Sequence, residues 1–140
     1  MAHEFSGMKG SGLYSSNAYI ASGYPYITGS TLLSSSFAAT NSEVKVIFDK
    51  VAKAVTVINT TSSAPILVCF NSITSSNVSG GNHYLTLRND RDSMTFNVKC
   101  KEIYVSLQTG AQNGSFQCYA ELTTINQREL GQLSGTGLTV

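Results

Sequence analysis

The sequence predicts an all-β protein: a single antiparallel β-sandwich domain of the jelly-roll kind, with about seven or eight strands and an extended arm at each end. The first indication is the unbroken alternation of apolar and polar side chains over residues 94–100 and again over residues 116–123. A side-chain period of two places one set on each face of a strand. The second is a series of short strand-like runs separated by turn residues every 8–12 positions or so. The third is that no run repeats its apolar residues with a helical period.

The strand-like runs all lie between residues 43 and 125, which we predict to be the sandwich core. Pro65 stands directly before the third run, where proline is allowed because the first residue of a strand need not donate to the ladder. The composition of residues 89–92, Asn-Asp-Arg-Asp, is typical of a turn. The predicted strands are residues 44–48, 53–59, 66–70, 83–87, 94–99, 102–107 and 115–124.

Residues 1–42 form a predicted N-terminal arm that is rich in glycine and serine and nearly free of charge. Apolar and aromatic residues interrupt it, so it either folds back to add a strand to its own sheet or docks on a neighbouring subunit. We favour docking for at least part of the arm, and residues 24–28 are its best candidate for a short strand, confined to a sheet edge by Pro25. The predicted contact residues of the arm are Tyr14, Tyr19, Tyr24, Tyr26 and Leu33.

Residues 126–140 lose the alternation but keep several leucines among glycines, and we predict a second, C-terminal arm there. Ordinary frayed ends are the alternative for this stretch.

Charge is scarce: 12% of the residues are charged, about half the usual share, and the net charge is +1. A neutral surface of serine, threonine, asparagine and glycine is suited to packing against other protein copies. No cluster of lysine and arginine supports nucleic-acid binding, and no apolar run is long enough to span a membrane. The N-terminus lacks the basic and apolar regions of a signal peptide, so we expect synthesis in the cytoplasm.

No catalytic, cofactor or metal site is predicted. Cys69, Cys100 and Cys118 lack the close spacing of zinc ligands and are expected to be small buried apolar residues. His83 has no second histidine nearby in the sequence and is expected to begin a strand rather than to act as a base. Two acid-based alternatives are disfavoured: a calcium loop at residues 89–92, and a hydrolytic pair drawn from Asp49, Glu102 and Glu121. Three sequons, beginning at Asn59, Asn77 and Asn113, are expected to be ordinary polar stretches.

The chain resembles small β-sandwich structural proteins of double-stranded DNA virus particles, including the decoration or cement proteins of tailed-phage capsids. The resemblance lies in the charge-poor surface, the glycine-rich arms, and the runs FDKVAKAVTVIN at residues 48–59 and NVKCKEIYVS at residues 97–106. It implies a non-enzymatic virion protein that forms a homo-oligomer, binds capsid or other structural subunits and stabilises the shell.

Two other functions stay open at the level of the sequence. A filament or appendage subunit held by exchanged strands would assemble without any other protein. A carbohydrate-binding tail or fibre module would bind glycans through its core, although no residue pattern indicates a glycan site.

Overall fold

The structure, a computed structural model, describes residues 23–32, 43–61, 64–72, 83–107 and 113–131. Apart from one 3-10 turn at Gln127–Glu129, the regular elements in these ranges are strands. They are β1 (Tyr24–Leu32), β2 (Glu43–Asn59), β3 (Ile66–Cys69), β4 (Leu85–Leu87), β5 (Ser93–Phe96), β6 (Cys100–Leu107) and β7 (Gly114–Asn126).

The strands form one antiparallel sheet with the order β1-β7-β2-β6-β3-β4, and β5 pairs with β2 beside this path. The predicted all-β, antiparallel class is therefore confirmed. Hydrogen bonds connect all seven strands within a single sheet. The division into two sheets and the jelly-roll connectivity are not shown, and they stay predictions.

β2 is the central strand, and it replaces the two strands that we predicted at residues 44–48 and 53–59. Its N-terminal half pairs with β6, while its C-terminal half lies between β7 and β5. The pairing register shifts at residues 47–54, and adjacent residues such as Val51 and Ala52 are both buried there. Such bulges change which face of a strand each residue occupies, so the alternation changes phase although the strand continues. The Thr123 hydroxyl donates to the Val51 carbonyl over 2.7 Å and so satisfies a backbone group in this irregular region.

The core lies on the face that the alternation predicts. In β7 every second residue from Phe116 to Leu122 is buried, as the pattern over residues 116–123 indicated. All three cysteines are buried and free, which confirms their expected role as small apolar residues. Burial raises the pKa of Cys69 and of Cys100 to about 12 and that of Cys118 to about 11. The largest fully buried apolar side chains are Phe48, Phe116, Leu32, Ile66, Ile103 and Ile125.

The predicted strand at residues 94–99 is shorter in the structure. β5 ends at Phe96, residues 97–99 are not part of any strand, and β6 begins at the buried Cys100. In this interval the chain moves from the C-terminal half of β2 to its N-terminal half. In the sequence the apolar positions of the alternation include Val98, but in the structure Val98 is exposed.

Part of the predicted N-terminal arm belongs to the sheet. Residues 24–32 form β1, which pairs with β7 along its whole length, and Leu32 is buried in the core. For this stretch the chain folds back on itself, and the predicted edge strand with Pro25 is found there. Residues 1–22 and 33–42 lie outside the described residues, and for them the arm stays a prediction.

The start of the predicted C-terminal arm also contacts the sheet. Asn126 is the last residue of β7, and its side chain accepts a hydrogen bond from the Arg128 backbone N–H at the 3-10 turn. Leu130 is buried, and its carbonyl accepts a hydrogen bond from Lys101 over 3.0 Å. Residues 132–140 lie outside the described residues.

Candidate functional site: an uncharged sheet face

One surface of the sheet combines exposure with a complete lack of charge. It is formed by the sides of β1, β7, β5 and the C-terminal half of β2 that point away from the core. The strand registers align its residues in rows that cross the four strands. We call it the uncharged face, and its members are Ile27, Gly29, Thr31, Thr56, Ile58, Ser93, Thr95, Ser115, Gln117 and Tyr119.

One row contains the two most prominent apolar side chains of this face. Ile27 in β1 lies opposite Tyr119 in β7, and the row continues through Thr56 to Thr95. Ile27 is 76% exposed and Tyr119 is 41% exposed. Directly opposite residues in adjacent strands have neighbouring side chains, so Ile27 and Tyr119 form a continuous apolar surface. The hydroxyls of Thr56 and Thr95 are 2.9 Å apart and hydrogen-bond to each other.

Hydroxyl groups fix the end of the face near the start of β7. The Ser115 hydroxyl lies 2.6 Å from that of Thr60 and 2.9 Å from that of Thr61. The Thr60 backbone N–H also donates to the Ser115 carbonyl over 3.1 Å. These polar side chains are engaged with one another, so a partner that covers this end meets groups that already have hydrogen-bond partners.

Charged residues begin where the face ends. Glu121 follows Tyr119 on the same side of β7 and lines an open groove of about 400 Å³. The groove also contains Lys53 and Lys99. The charges of this part of the molecule therefore border the uncharged face and leave its rows neutral.

Of the five predicted contact residues, two lie in the described part of the chain, and their environments differ. Tyr24 and Tyr26 both lie in β1, on the side of the sheet that holds the core, opposite Leu122 and Ala120. Tyr24 is 62% exposed, so it remains available to a partner. Tyr26 is half-buried and makes an edge-to-face contact with Phe48, with ring centroids 5.5 Å apart. Tyr14, Tyr19 and Leu33 lie outside the described residues.

Sequence reasoning did not single out Ile27 or Tyr119. A signal for Tyr119 was present, because it occupies the polar phase of the otherwise regular alternation in residues 116–123. An aromatic residue in the polar phase of a strand is directed away from the core. For Ile27 the signal was ambiguous, since its neighbours Tyr26 and Thr28 do not establish which phase is buried.

The other candidate sites have structural roles. At residues 89–92 the Asp92 carboxylate accepts hydrogen bonds from the backbone N–H groups of Arg88 and Asn89, as in a turn. Asn59 is fully buried with both protons of its amide nitrogen donated, which leaves no free amide for a glycan in the folded chain. Within the described residues no three His, Cys, Asp or Glu side chains are grouped to hold a metal ion.

Glu102 belongs to a small polar cluster on β2 and β6. Its carboxylate lies 2.9 Å from the Lys45 ammonium and accepts a hydrogen bond from the Tyr104 hydroxyl over 2.8 Å. Burial alone would raise the pKa of Glu102, but the contacts with Lys45 and Tyr104 outweigh burial and lower it. The hydrogen bond to Glu102 is the main reason that the pKa of Lys45 is raised. Burial, with help from Glu102, raises the pKa of Tyr104.

Of the three carboxylates considered for a hydrolytic pair, which the sequence disfavours, the register separates Glu102 from Glu121. Glu102 lies opposite Ile47, and Glu121 lies opposite Ala54. These two positions on β2 are roughly 20 Å apart along an extended strand, more than the separation that glycoside hydrolysis requires.

Comparison with models of protein families gives no match, and comparison with curated protein sequences gives none either. In the described part of the chain no helix is long and apolar enough to cross a membrane.

Proposed function

We propose that this chain is a non-enzymatic structural protein of a virus particle, a capsid decoration or cement protein or a minor capsid protein. In this proposal it stabilises the shell through contacts between subunits. The uncharged face and the arms make those contacts, and the charged groove at the border of the face stays in solvent. The resemblance implies this function, and the uncharged face is the structural observation that supports it.

The two exposed apolar residues of the face support docking on protein. Full burial of a large apolar side chain contributes about 1.5–3 kcal/mol, so covering the exposed parts of Ile27 and Tyr119 contributes about 2–4 kcal/mol in each subunit before the costs of association. A contact of this size is weak for a single pair of molecules. Repeated around a symmetric shell, many such contacts add up through multivalency. A decoration protein needs no stronger contact than this.

The composition of the face favours a protein partner over a nucleic acid. A phosphate backbone is bound through clustered lysine and arginine side chains, and the uncharged face contains neither. Its hydroxyl and amide groups, such as Thr56 and Gln117, instead match the polar rim that surrounds the apolar centre of protein interfaces.

The first test is to find the chain in its natural particle. Virus particles are purified from the cells in which the chain is made, and its copies per particle are counted by quantitative mass spectrometry. A fixed copy number related to the capsid symmetry supports the proposal. Absence from the particles refutes it, and so does assembly of the purified chain alone into filaments. Binding of the isolated chain to a glycan array, with no copies in the particle, would instead establish the carbohydrate-binding alternative.

The second test examines the face itself. Tyr119→Lys introduces a charge on this face, beside Ile27, and we expect the copies per particle to fall at least tenfold. Leu85→Lys is the matched control, because Leu85 is similarly exposed, at 45%, but lies in β4 at the other end of the sheet. Equal occupancy of both variants and the unmodified chain would refute the assignment of the face.

A further inference from the structure

β1 has one free edge. It is the terminal strand of the sheet, and within the described residues no strand lies on the side opposite β7. Its nine residues, YPYITGSTL, include no charged side chain. Proteins usually protect such edges with charges, with short strands or with a covering segment, because a free edge is a template for another strand. The other terminal strand, β4, has only three residues.

The hydrogen bonds of the sheet determine which backbone groups point to this edge. The Thr60 N–H donates to the Ser115 carbonyl, so Ser115 and every second residue after it in β7 turn their backbone groups toward β2. The intervening β7 residues turn theirs toward β1, where their register partners are the even-numbered residues from Tyr24 to Leu32. The odd-numbered residues of β1 therefore point their N–H and C=O groups to the free edge. These residues are Pro25, Ile27, Gly29 and Thr31.

All four of these residues are exposed, and no other described residue pairs with this edge. Pro25 is the one protective element among them, since proline has no N–H to offer. It stands near one end of the strand, which leaves the N–H groups of Ile27, Gly29 and Thr31 available in a row.

We propose that a second copy of this chain pairs with this edge, β1 against β1 and antiparallel, about a two-fold axis at Thr28. The sheets of the two copies then become one continuous sheet. This pairing needs only the chain itself and does not rest on the proposed function.

The register is the reason for choosing a second copy as the partner. Only registers that pair odd-numbered residues with odd-numbered residues bring edge donors and acceptors together. Among these, centring on Thr28 overlaps all nine residues of β1. It forms about six inter-chain hydrogen bonds, two in each Ile27–Gly29 pair and one in each Thr31–Pro25 pair.

The side chains also fit in this register. Ile27 of each copy lies opposite Gly29 of the other, so a large exposed side chain meets a residue without one. On the other side of the sheet, the exposed Tyr24 lies opposite Leu32 of the second copy. No charged side chains face each other in this pairing, because β1 contains no charged residue. A contact built on one strand pair is small, so we expect a dimer that dissociates on dilution.

The test begins with the mass of the full chain in solution, measured by sedimentation over a wide range of concentration. We expect a monomer–dimer equilibrium that Ile27→Lys weakens at least tenfold, since a lysine on an edge strand opposes pairing. Ile27 is mostly exposed, so this change leaves the core intact, and thermal unfolding checks that it does. Tyr119→Lys is the matched control, because Tyr119 neighbours Ile27 on the same face but does not lie at the edge. We expect its dimer to be unchanged.

Cysteine trapping tests the register. In the proposed pairing Thr28 lies opposite Thr28 of the second copy in a non-hydrogen-bonded pair, where the Cα atoms are close enough for a disulfide. Thr28→Cys should therefore cross-link under mild oxidation, whereas Ser30→Cys, opposite Tyr26, should not. Because Thr28 also lies opposite Cys118 within the same chain, both variants are made in a Cys118→Ala background. The other two native cysteines are buried, with raised pKa values, and give little background.

Three results would overturn the proposal. They are a monomer at every concentration, a dimer that Ile27→Lys leaves intact, and a dimer that Tyr119→Lys dissociates as well. The last result would indicate association through the uncharged face. Capture of another protein's strand by β1, with no self-association of the purified chain, also contradicts pairing with a second copy.

Discussion

Replacement of Asn59 by alanine should be among the most destabilising single changes in this protein. Asn59 ends β2, is 0% exposed, and makes three hydrogen bonds through its side chain. Its amide nitrogen donates to the Ala64 carbonyl over 3.0 Å and to the Leu87 carbonyl over 2.9 Å. Its amide oxygen accepts from the Thr61 N–H over 2.8 Å. One side chain thus holds the end of β2, the segment before β3 and the end of β4 together.

The cost of Asn59→Ala follows from the groups left behind. The carbonyls of Ala64 and Leu87 belong to buried residues, and each loses a donor. An unsatisfied buried polar group costs about 1–3 kcal/mol, while the Thr61 N–H, which is nearer the surface, regains a partner in water. The cavity adds to this, so we expect a loss of about 3–5 kcal/mol in the free energy of unfolding. That is a large part of the 5–15 kcal/mol that typically stabilises a domain.

Asn59→Asp provides a second, pH-dependent test of the same reasoning. The carboxylate can still accept from Thr61, but it faces the two carbonyl oxygens without a proton to donate. Its pKa in the folded state should therefore be raised. A raised pKa contributes stability below the unfolded-state value of about 3.9 and loses it as the pH rises through the folded-state value. The variant should be strongly destabilised at neutral pH and partly recover in acid.

Urea unfolding followed by circular dichroism measures these changes from the midpoint and the slope. Asn97→Ala is the control, because Asn97 is exposed and the same substitution there should change stability by no more than about 0.5 kcal/mol. A loss below about 1 kcal/mol for Asn59→Ala, or an Asn59→Asp variant as stable as the original chain at neutral pH, would refute the account.

Three further changes test local features of the described structure. Arg91 has a φ of 74°, so Arg91→Gly should stabilise the fold by about 0.5–1 kcal/mol in urea unfolding, whereas Asp90→Gly should not. The Ser106 hydroxyl is buried and has no hydrogen-bond partner among the residues that the structure describes, so Ser106→Ala should raise the melting temperature, while Ser115→Ala, which breaks two hydroxyl contacts, should lower it. Glu102→Gln should cost about 1 kcal/mol at neutral pH, since Lys45 is half-exposed. Because the pKa of Glu102 is lowered in the folded state, this difference should be full above the ordinary pKa of 4.5 and should disappear as the pH falls through the lower folded-state pKa, and unfolding midpoints measured from neutral to acidic pH check it.

The alternation of side chains was sufficient to predict the fold class and most of the core. Phe116, Cys118 and Ala120 are buried as the period of two requires, because β7 is regular and covered on one side only. The alternation did not predict that β2 is continuous. Bulges shift the phase between Phe48 and Val55, and in a sequence such a shift cannot be distinguished from the end of one strand and the start of another.

The candidate site was less accessible to sequence reasoning, because it is defined by which strands are neighbours. Ile27 and Tyr119 are 92 positions apart in the chain, and they form one surface only because β1 pairs with β7. The tyrosines of the N-terminal segment looked equivalent in the sequence. The pairing separates them, since it turns Tyr26 onto Phe48 in the core and leaves Tyr24 largely exposed.

The position of β1 also determines how the arm hypothesis must be tested. Deleting residues 1–42 would remove β1 together with the segment before it, uncover one side of β7 and take the buried Leu32 out of the core. A protein that then failed to join its particle would have lost part of its fold, and the arm would not be responsible. Deleting residues 1–22 leaves all of β1 in place. If that shorter deletion lowers the number of copies per particle while the unfolding midpoint is unchanged, the loss belongs to the arm. If the number of copies stays the same, residues 1–22 make no contact that the particle needs, and Tyr14 and Tyr19 are not contact residues.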